Sequence, residues 1–254
     1  MVNVTTEFSG AGDPVRTLEL LWGLQERPRR GPRPKLTAEE IVRTALALAD
    51  ADGLEALSMR RIAERLGVSA MSIYTYVPGK AELIDVMLDR AYGELTPPPG
   101  DAGWRAALEH LARQTLALFH RHPWMLQVAT GRPPLGPNLV EKYEYELRAV
   151  DGLGLTDVEM DSVVALVNGF AESSARVSVH TAEARRRTGM TDEQWWEATA
   201  PIVDKVVDTE RYPLGHRVGT AAGQEYGGAV GPGHAFEFGL ARILDGIEAL
   251  IASR

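Results

Sequence analysis

The stretch Ser58-Met-Arg-Arg-Ile-Ala-Glu-Arg-Leu-Gly-Val-Ser-Ala-Met-Ser-Ile-Tyr-Thr-Tyr76 holds two short helix patterns separated by a tight turn. Ser58 and Ser69 are good N-cap residues for the two helices, and Gly67 tolerates the left-handed backbone that ends the first one. Two helices this short, joined by three or four residues, must cross at a steep angle. Ala63 supplies the small residue that the crossing needs, and Ile73 anchors the second helix. The stretch therefore predicts a helix-turn-helix over residues 58–77.

The apolar residues around this motif predict one small shared core. Its members have the spacing of buried helical positions and are Ile41, Leu54, Leu57, Ile62, Leu66 and Val68. The positions of the second helix that remain outside this core are small, hydroxylated or aromatic. Such side chains suit a helix that lies in the major groove of DNA. The alternative is an ordinary helical hairpin whose small residues only pack.

The charge is distributed unevenly along the chain. The 254 residues have a net charge of −8, but residues 27–80 contain ten Lys and Arg against six Asp and Glu, a net of +4. Five of these basic residues stand in a stretch that also holds three prolines and a glycine, which predicts an extended arm. They are Arg27, Arg29, Arg30, Arg33 and Lys35. A basic segment on an acidic body favours a nucleic-acid partner.

Several classes of protein are disfavoured by composition. The absence of cysteine excludes disulfides, thiolate zinc sites and a cysteine nucleophile. His120 and His122 are two residues apart and so do not share a helix face, and no metal site is expected. There is no GxSxG, HExxH, P-loop or dinucleotide-binding fingerprint, so we do not expect an enzyme. No apolar run reaches the length of a membrane span, and the first residues do not resemble a signal peptide.

The rest of the chain reads as helices, so the expected fold class is all-α. Capping boxes, proline starts and apolar periodicity place them, and no alternating run suggests a strand. The expected helices cover 14–26, a stretch from Thr37 to about 52, 80–95, 103–121, a short one after Pro123, 138–152, 156–185, 191–208 and 236–251. Residues 211–233 hold seven glycines and are expected to form a mobile loop.

Residues 35–95 resemble the N-terminal domain of TetR-family transcriptional regulators. The resemblance is carried by Thr37-Ala-Glu-Glu-Ile-Val, Ala49-Asp-Ala-Asp-Gly-Leu54, Leu57-Ser-Met-Arg-Arg-Ile-Ala-Glu-Arg-Leu-Gly-Val68, Ile73-Tyr-Thr-Tyr-Val-Pro-Gly-Lys80 and Glu82-Leu-Ile. It implies an all-helical homodimer with a small DNA-binding domain and a larger effector-binding and dimerisation domain. The C-terminal part is similar to the tetracycline-repressor-like subgroup, and the N-terminal extension resembles one found in actinobacterial members.

The resemblance implies three regions and a set of DNA contacts. The regions are an extension helix and basic arm (1–34), the DNA-binding domain (35–80) and the effector and dimerisation domain (81–254). The recognition helix is Ser69–Tyr74. The contacts carried over from the family fall on Thr37, Ser58, Met59, Ser69, Met71, Ser72, Tyr74, Thr75, Tyr76 and Lys80. The arm is expected to join them in a narrow minor groove, unless it is only a solvated linker.

An effector pocket is expected among the helices of the C-terminal region, because such sites combine apolar walls with a few polar groups. Asn168, Glu172 and Arg176 fall on one stripe of an otherwise apolar helix. Their alternative role is a buried ion-pair or dimer network. The candidate pocket residues are Phe119, His122, Trp124, Met125, Gln127, Tyr143, Asn168, Glu172 and Arg176, with His120 a further wall. Each aromatic or histidine in this set has ordinary core packing as its alternative.

Two apolar helices predict a dimer. The small residues of 169–175 and the wide apolar stripe of the last helix favour a four-helix interface between two copies through 156–185 and 235–253. The expected function is a homodimeric repressor, bacterial and cytoplasmic, at the nucleoid when bound to DNA. It would be released from a palindromic operator by a small-molecule effector, with no membrane partner and no cofactor. The alternatives are an architectural or effector-independent DNA binder and, much less favoured, a helical enzyme.

Overall fold

The computed structural model describes residues 6–24 and 36–254. These residues confirm the all-α class. They form two compact units that divide after Asn168, whereas the sequence placed its functional boundary at residue 80. No helix in the described ranges is both long enough and apolar enough to cross a membrane.

Helices account for nearly all regular structure in both units. The first unit contains α1 (Pro14–Leu21), α2 (Ala38–Asp52), α3 (Met59–Leu66), α4 (Ala70–Tyr74), α5 (Lys80–Tyr92), α6 (Trp104–Arg121), α7 (Pro137–Arg148) and the start of α8 (Asp157–Thr188). The second contains the rest of α8, then α9 (Asp192–Val206), α10 (Pro213–Tyr226) and α11 (Pro232–Ala252). Single 3-10 turns cover Leu54–Ala56 and Pro123–Gln127.

The helix-turn-helix forms as its local sequence predicts. Thr37 and Glu40 make a complete capping box at the start of α2, and Ser58 and Ser69 cap α3 and α4. Gly67 ends α3 with a φ of +67°, a conformation that suits glycine. The predicted core members Ile41, Leu54, Leu57, Ile62, Ala63 and Ile73 are all buried. Leu66 and Val68 are only half-buried, because they lie at the edge of the small core.

A short parallel strand pair corrects the expectation of no strands. β1 (Glu7–Phe8) pairs with β2 (Val128–Ala129), Glu7 opposite Val128 and Phe8 opposite Ala129. Two residues are too few to show an alternating pattern, so the sequence gives no signal for them. The pairing attaches the N-terminal segment to the loop that follows α6.

Helix α5 is the central element of the first unit. It packs against α1, α2 and α7 and buries Leu83, Ile84, Met87 and Leu88. The helix α1 beside it ends at Leu21 rather than at 26, because Gly23 takes a φ of +63°. The described part of the N-terminal extension therefore contacts the rest of the first unit through β1 and α1.

The glycine-rich segment 211–233 contains a helix, which corrects the predicted mobile loop. Pro213 begins α10 and Gly227 ends it with a φ of +62°. Three of its glycines, Gly215, Gly219 and Gly223, are four residues apart and so share one helix face. A Cβ at Gly223 would lie 3.9 Å from the Trp196 ring, an ordinary packing distance. In the same unit, the rings of Phe170 and Phe236 stack at 5.7 Å.

Candidate nucleic-acid interface and ligand site

Helix α4 presents an exposed face made of the predicted contact residues. Met71 is 76% exposed and Tyr74 46% exposed, and because they are three residues apart they lie side by side. Ser69 and Thr75 are also exposed, whereas Ser72 and Tyr76 are half-buried. An exposed methionine next to an exposed tyrosine is an unusual surface for a helix whose other side is anchored by Ile73. The face is free to meet base edges and methyl groups.

The predicted hydroxyl contacts also serve as helix caps. The Thr37 hydroxyl accepts from the Glu40 N–H at 3.1 Å, and the Ser58 hydroxyl accepts from the Arg61 N–H at 3.2 Å. Ser69 accepts from the Ser72 N–H at 3.2 Å. Met59 is buried, at 7% exposure, so its side chain belongs to the core and only its backbone N–H remains a candidate for a phosphate.

The predicted cationic contacts are not equivalent. Lys80 begins α5 as expected, but its Nζ lies 2.7 Å from Glu7 Oε1. The arm residues Arg27, Arg29, Arg30, Arg33 and Lys35 lie outside the described residues. Without the arm, residues 36–80 contain five basic and six acidic residues. The net positive charge of residues 27–80 therefore comes from the arm.

The structure separates the residues proposed for the effector pocket. A narrow cavity lies in the first unit, and it has no space wide enough to hold a water molecule. Among the nine candidates only Asn168 lines it, together with Leu108, Leu111, Glu146, Val164 and Val167. Phe119, His122, Trp124 and Met125 are core residues, and His120, Gln127 and Tyr143 are exposed.

The remaining candidates have surface or structural partners. The Tyr143 hydroxyl donates to Asp161 at 2.8 Å. Glu172 and Arg176 belong to the second unit and form an i,i+4 ion pair of 2.9 Å whose side chains are about two-fifths exposed. The pair is therefore a partly exposed ion pair, whereas the alternative role considered from the sequence was a buried one.

The polar group beside the cavity is a buried lysine–glutamate pair that was not among the residues expected from the sequence. Lys142 and Glu146 are buried one turn apart on α7 and form an ion pair. The Lys142 Nζ donates to Asn168 Oδ1 at 3.1 Å, and Asn168 Nδ2 donates to Glu146 Oε1 at 3.0 Å. Lys142 also lies over the ring of Tyr92, 5.8 Å from its centroid. The three polar groups close a ring of hydrogen bonds against apolar walls.

Burial sets the electrostatics of this site. It lowers the pKa of Lys142, although attraction to Glu146 acts in the opposite direction. Burial also raises the pKa of Tyr145, with the neighbouring carboxylates Glu146 and Glu141 adding to the effect. Among the described residues, the Tyr145 hydroxyl is a buried side-chain group without a hydrogen-bond partner.

A second polar cluster connects α2 to the segment around α6. His122 Nδ1 lies 2.7 Å from Asp50 Oδ1, and His122 Nε2 lies 3.1 Å from Glu94 Oε1. The indole N–H of Trp124 donates to the same Asp50 oxygen at 2.9 Å. Glu94 also pairs with Arg121, and these two residues form part of the wall of a surface cleft of about 350 Å³.

The sequence gives only the spacing of the buried pair. Lys142, Tyr145 and Glu146 fall at i, i+3 and i+4, so they share one face of α7. Tyr143, the residue expected from the sequence, lies one position away on the outer face. The buried face of α7 is set by how α8 packs against it. That packing cannot be deduced from the local sequence.

Both parts of the chain match models of known protein families. The family model described as "Bacterial regulatory proteins, tetR family" matches residues 41–87, and "Tetracyclin repressor-like, C-terminal domain" matches residues 96–251. The chain is 48% identical to the HTH-type transcriptional repressor DrrR1 of Streptomyces coeruleorubidus over 98% of its own length and 91% of the relative.

Two solved structures of one protein are similar in fold and in sequence. Apo ActR from Streptomyces coelicolor superposes with a TM-score of 0.70 at 26% identity, covering 87% of this chain and 99% of that one. ActR in complex with actinorhodin gives a TM-score of 0.68 at 28% identity, covering 86% and 97%. DrrR1 is named as a transcriptional repressor, and ActR as a TetR family protein.

Proposed function

We propose, because this chain belongs to the tetR family of bacterial regulatory proteins, that it is a homodimeric repressor released from a palindromic operator by a small-molecule effector. Residues 35–80 would bind DNA, and residues 81–254 would bind the effector and dimerise. We expect the protein to work in the bacterial cytoplasm, on the nucleoid when bound. The observation that carries the proposal is the α4 face of Met71 and Tyr74, exposed on a helix whose other side is buried through Ile73.

Binding to the operator follows from the chemistry of that face. Met71 and Tyr74 are long enough to reach base edges in a major groove, and the methionine side chain suits a thymine methyl group. The capped starts of α2 and α3 would approach the phosphates on either side. Lys80 and the basic arm would add charge contacts to the backbone.

The effector site that we propose is the ring of Lys142, Glu146 and Asn168. It combines apolar walls with three convergent polar groups, as ligand sites between helices do. The relative ActR has been crystallised with actinorhodin, which supports a small-molecule effector for this chain too. Because the cavity is closed to water, the effector would bind a state in which these helices have moved apart. Such a movement would be passed to α5, which packs on α7 and begins beside the DNA-binding helices.

Dimerisation is proposed through α8 and α11. Val177 is 47% exposed and Phe238 58% exposed, large values for apolar residues on helices that otherwise build a core. Two such helices from each copy would make a four-helix interface. A two-fold axis would then set the two recognition helices about one turn of DNA apart.

Selection from a random duplex library tests the DNA-binding part of the proposal. We expect the purified protein to enrich a palindrome with half-sites about 10 base pairs apart. Tyr74→Ala should lose specific binding by about 1–3 kcal/mol, the usual value of one base contact, with an unchanged thermal unfolding midpoint. The control is Tyr212→Ala, a half-exposed tyrosine far along the chain. If the ligand-free protein enriches no sequence, the proposal is refuted.

A further inference from the structure

Residues 6–24, which we call the strap, are attached to the first unit at both ends. Near the start, Glu7–Phe8 pairs with Val128–Ala129, and the Ser9 N–H donates to Ala129 O at 3.0 Å. Near the end, the indole N–H of Trp22 donates to Leu135 O at 2.8 Å. Between these two points the strap passes over α5. Its position is therefore determined by specific contacts.

The middle of the strap satisfies buried carboxylates on α5. Asp85 is completely buried and accepts from the Ser9 hydroxyl at 2.6 Å and from the Gly10 N–H at 3.1 Å. Glu82 accepts from the Asp13 N–H at 3.1 Å. A Cβ at Gly12 would come within 2.4 Å of Glu82 Oε1, so a larger residue there would displace the Glu82 carboxylate. Glu82 and Asp85 thus both have partners supplied by the strap.

Glu7 contributes the remaining charge contact between the strap and α5. Its Oε1 lies 2.7 Å from the Nζ of Lys80, with both side chains about one-third exposed or less. Lys80 is the first residue of α5 and follows directly after the DNA-binding helices. A carboxylate oxygen and a phosphate oxygen are the same kind of acceptor for an ammonium group. An operator phosphate that approached Lys80 would therefore compete with Glu7 and be repelled by it.

We propose that the strap restrains operator binding, because Glu7 occupies Lys80 in place of a DNA phosphate. The inference rests on the proposed function, since it needs an operator to compete with. The restraint is built into the fold: the contacts of Ser9 and Gly10 with Asp85 hold Glu7 next to Lys80. The N-terminal extension would therefore act on operator affinity in two opposite directions. Glu7 lowers the affinity by neutralising Lys80, and the basic arm that follows the strap raises it.

Glu7→Gln tests the proposal with little change in shape. Because exposed ion pairs are worth up to about 1 kcal/mol, we expect operator affinity to rise about twofold to fivefold per subunit. The slope of log affinity against log salt concentration should steepen by about 0.9 per subunit, because Lys80 then neutralises one more phosphate. The matched control is Glu19→Gln, which removes the same charge from an exposed position of the same strap. Glu19→Gln should change the operator affinity and the salt slope only slightly.

A double-mutant cycle with Lys80→Gln assigns the effect to the pair. Lys80→Gln should weaken binding alone, and Glu7→Gln added to it should have no more effect than Glu19→Gln. Amide hydrogen exchange at Gly10 should stay protected in Glu7→Gln, which separates loss of a charge from loss of the whole strap. A gain in affinity with Gly10 deprotected would overturn the role assigned to Glu7.

The outcomes separate this inference from the function on which it rests. If wild-type protein selects an operator and Glu7→Gln leaves both affinity and salt slope unchanged, the strap inference is wrong and the repressor proposal stands. If neither wild type nor Glu7→Gln selects a duplex, the proposed function fails and the inference fails with it.

Discussion

His122 shows how one residue can join separate elements. It is almost fully buried, and each ring nitrogen faces a carboxylate oxygen, one on Asp50 and one on Glu94. A carboxylate oxygen accepts hydrogen bonds, and an imidazole N–H donates one. The residue therefore ties the end of α2 to the segment that follows α5.

Replacing His122 should weaken this junction. His122→Phe keeps a ring of similar size but leaves two carboxylates short of a donor, which costs about 1–3 kcal/mol of unfolding free energy. Chemical denaturation at neutral pH measures the loss. His216→Phe, at an exposed position of α10, is the control and should change stability very little. Equal effects from the two substitutions would show that the hydrogen bonds of His122 are not important for stability.

The same variant should respond less to acid. Burial opposes ionisation of Glu94, but hydrogen bonds from Arg121 and His122 outweigh it and lower the pKa of the carboxyl below its ordinary 4.5. A lowered carboxyl pKa stabilises the fold above that ordinary value, and the contribution is lost as the pH falls through the folded-state pKa. In His122→Phe one cause of the lowered pKa is gone. The acid-induced loss of stability attributable to Glu94 should therefore shrink.

At the scale of elements, α7 carries the pair that best combines structure and proposed function. Lys142 and Glu146 are each about 5% exposed or less, so neither can keep its charge without the other. Asn168 completes their hydrogen bonds from α8. The two helices are therefore joined by polar contacts at the site where an effector is proposed to separate them.

Lys142→Met should destabilise the protein strongly, because it leaves the Glu146 carboxylate buried without a cation. We expect a loss of about 3–5 kcal/mol, measured by urea unfolding. The double variant Lys142→Met, Glu146→Leu should recover most of that stability and still bind the operator. An effector identified in a ligand screen should no longer release it from the operator. If the double variant responds to that effector as the wild type does, the effector site lies elsewhere.

Elements could be predicted where their signals are local, but the Lys142, Glu146 and Asn168 site could not. Thr37, Ser58, Gly67 and Ser69 begin or end helices through neighbours a few residues away, so the helix-turn-helix follows from the sequence. The Lys142 pair, the strap contacts of Asp85 and the strand pair all join residues distant in the chain. Their partners become known only after α5, α7 and α8 have packed together.

The loop prediction for residues 211–233 was wrong because it counted glycines without considering their spacing. Seven glycines in 211–233 favour a loop when each is considered separately, because glycine destabilises helices. Three of them are spaced by four residues, however, and form one face of α10. Their regular spacing, and not their number, was the useful signal.

At the scale of the whole molecule, the acidic body is opposed by one short basic segment. Residues 36–80 have a slight excess of acid, so the arm at 27–35 carries the charge that would attract DNA. Deleting the whole N-terminal extension would be ambiguous, because the strap would be removed from Asp85 and Glu82 with the arm. Substitution of the arm alone avoids this problem.

Changing Arg27, Arg29, Arg30 and Arg33 together to Gln should weaken operator binding and flatten its salt dependence. The slope should fall by about 0.9 for each phosphate that the arm neutralises, and thermal stability should stay the same. Titration at several salt concentrations gives the slope. The control replaces Arg185, Arg186 and Arg187, a basic cluster at the end of α8 that pairs with Glu183 and Asp192. An unchanged slope in the arm variant would mean that the arm is only a linker.

The narrowness of the cavity beside Asn168 affects the dissociation constant that would be measured for an effector. If the resting state has no room for even a water molecule there, only the rarely populated open state is competent. The observed dissociation constant is then the intrinsic one divided by the open fraction. A molecule with a low intrinsic dissociation constant would therefore show a much higher measured one. A substitution that weakens the packing of α7 on α8 would raise the open fraction and so lower the measured dissociation constant, without any direct contact with the ligand.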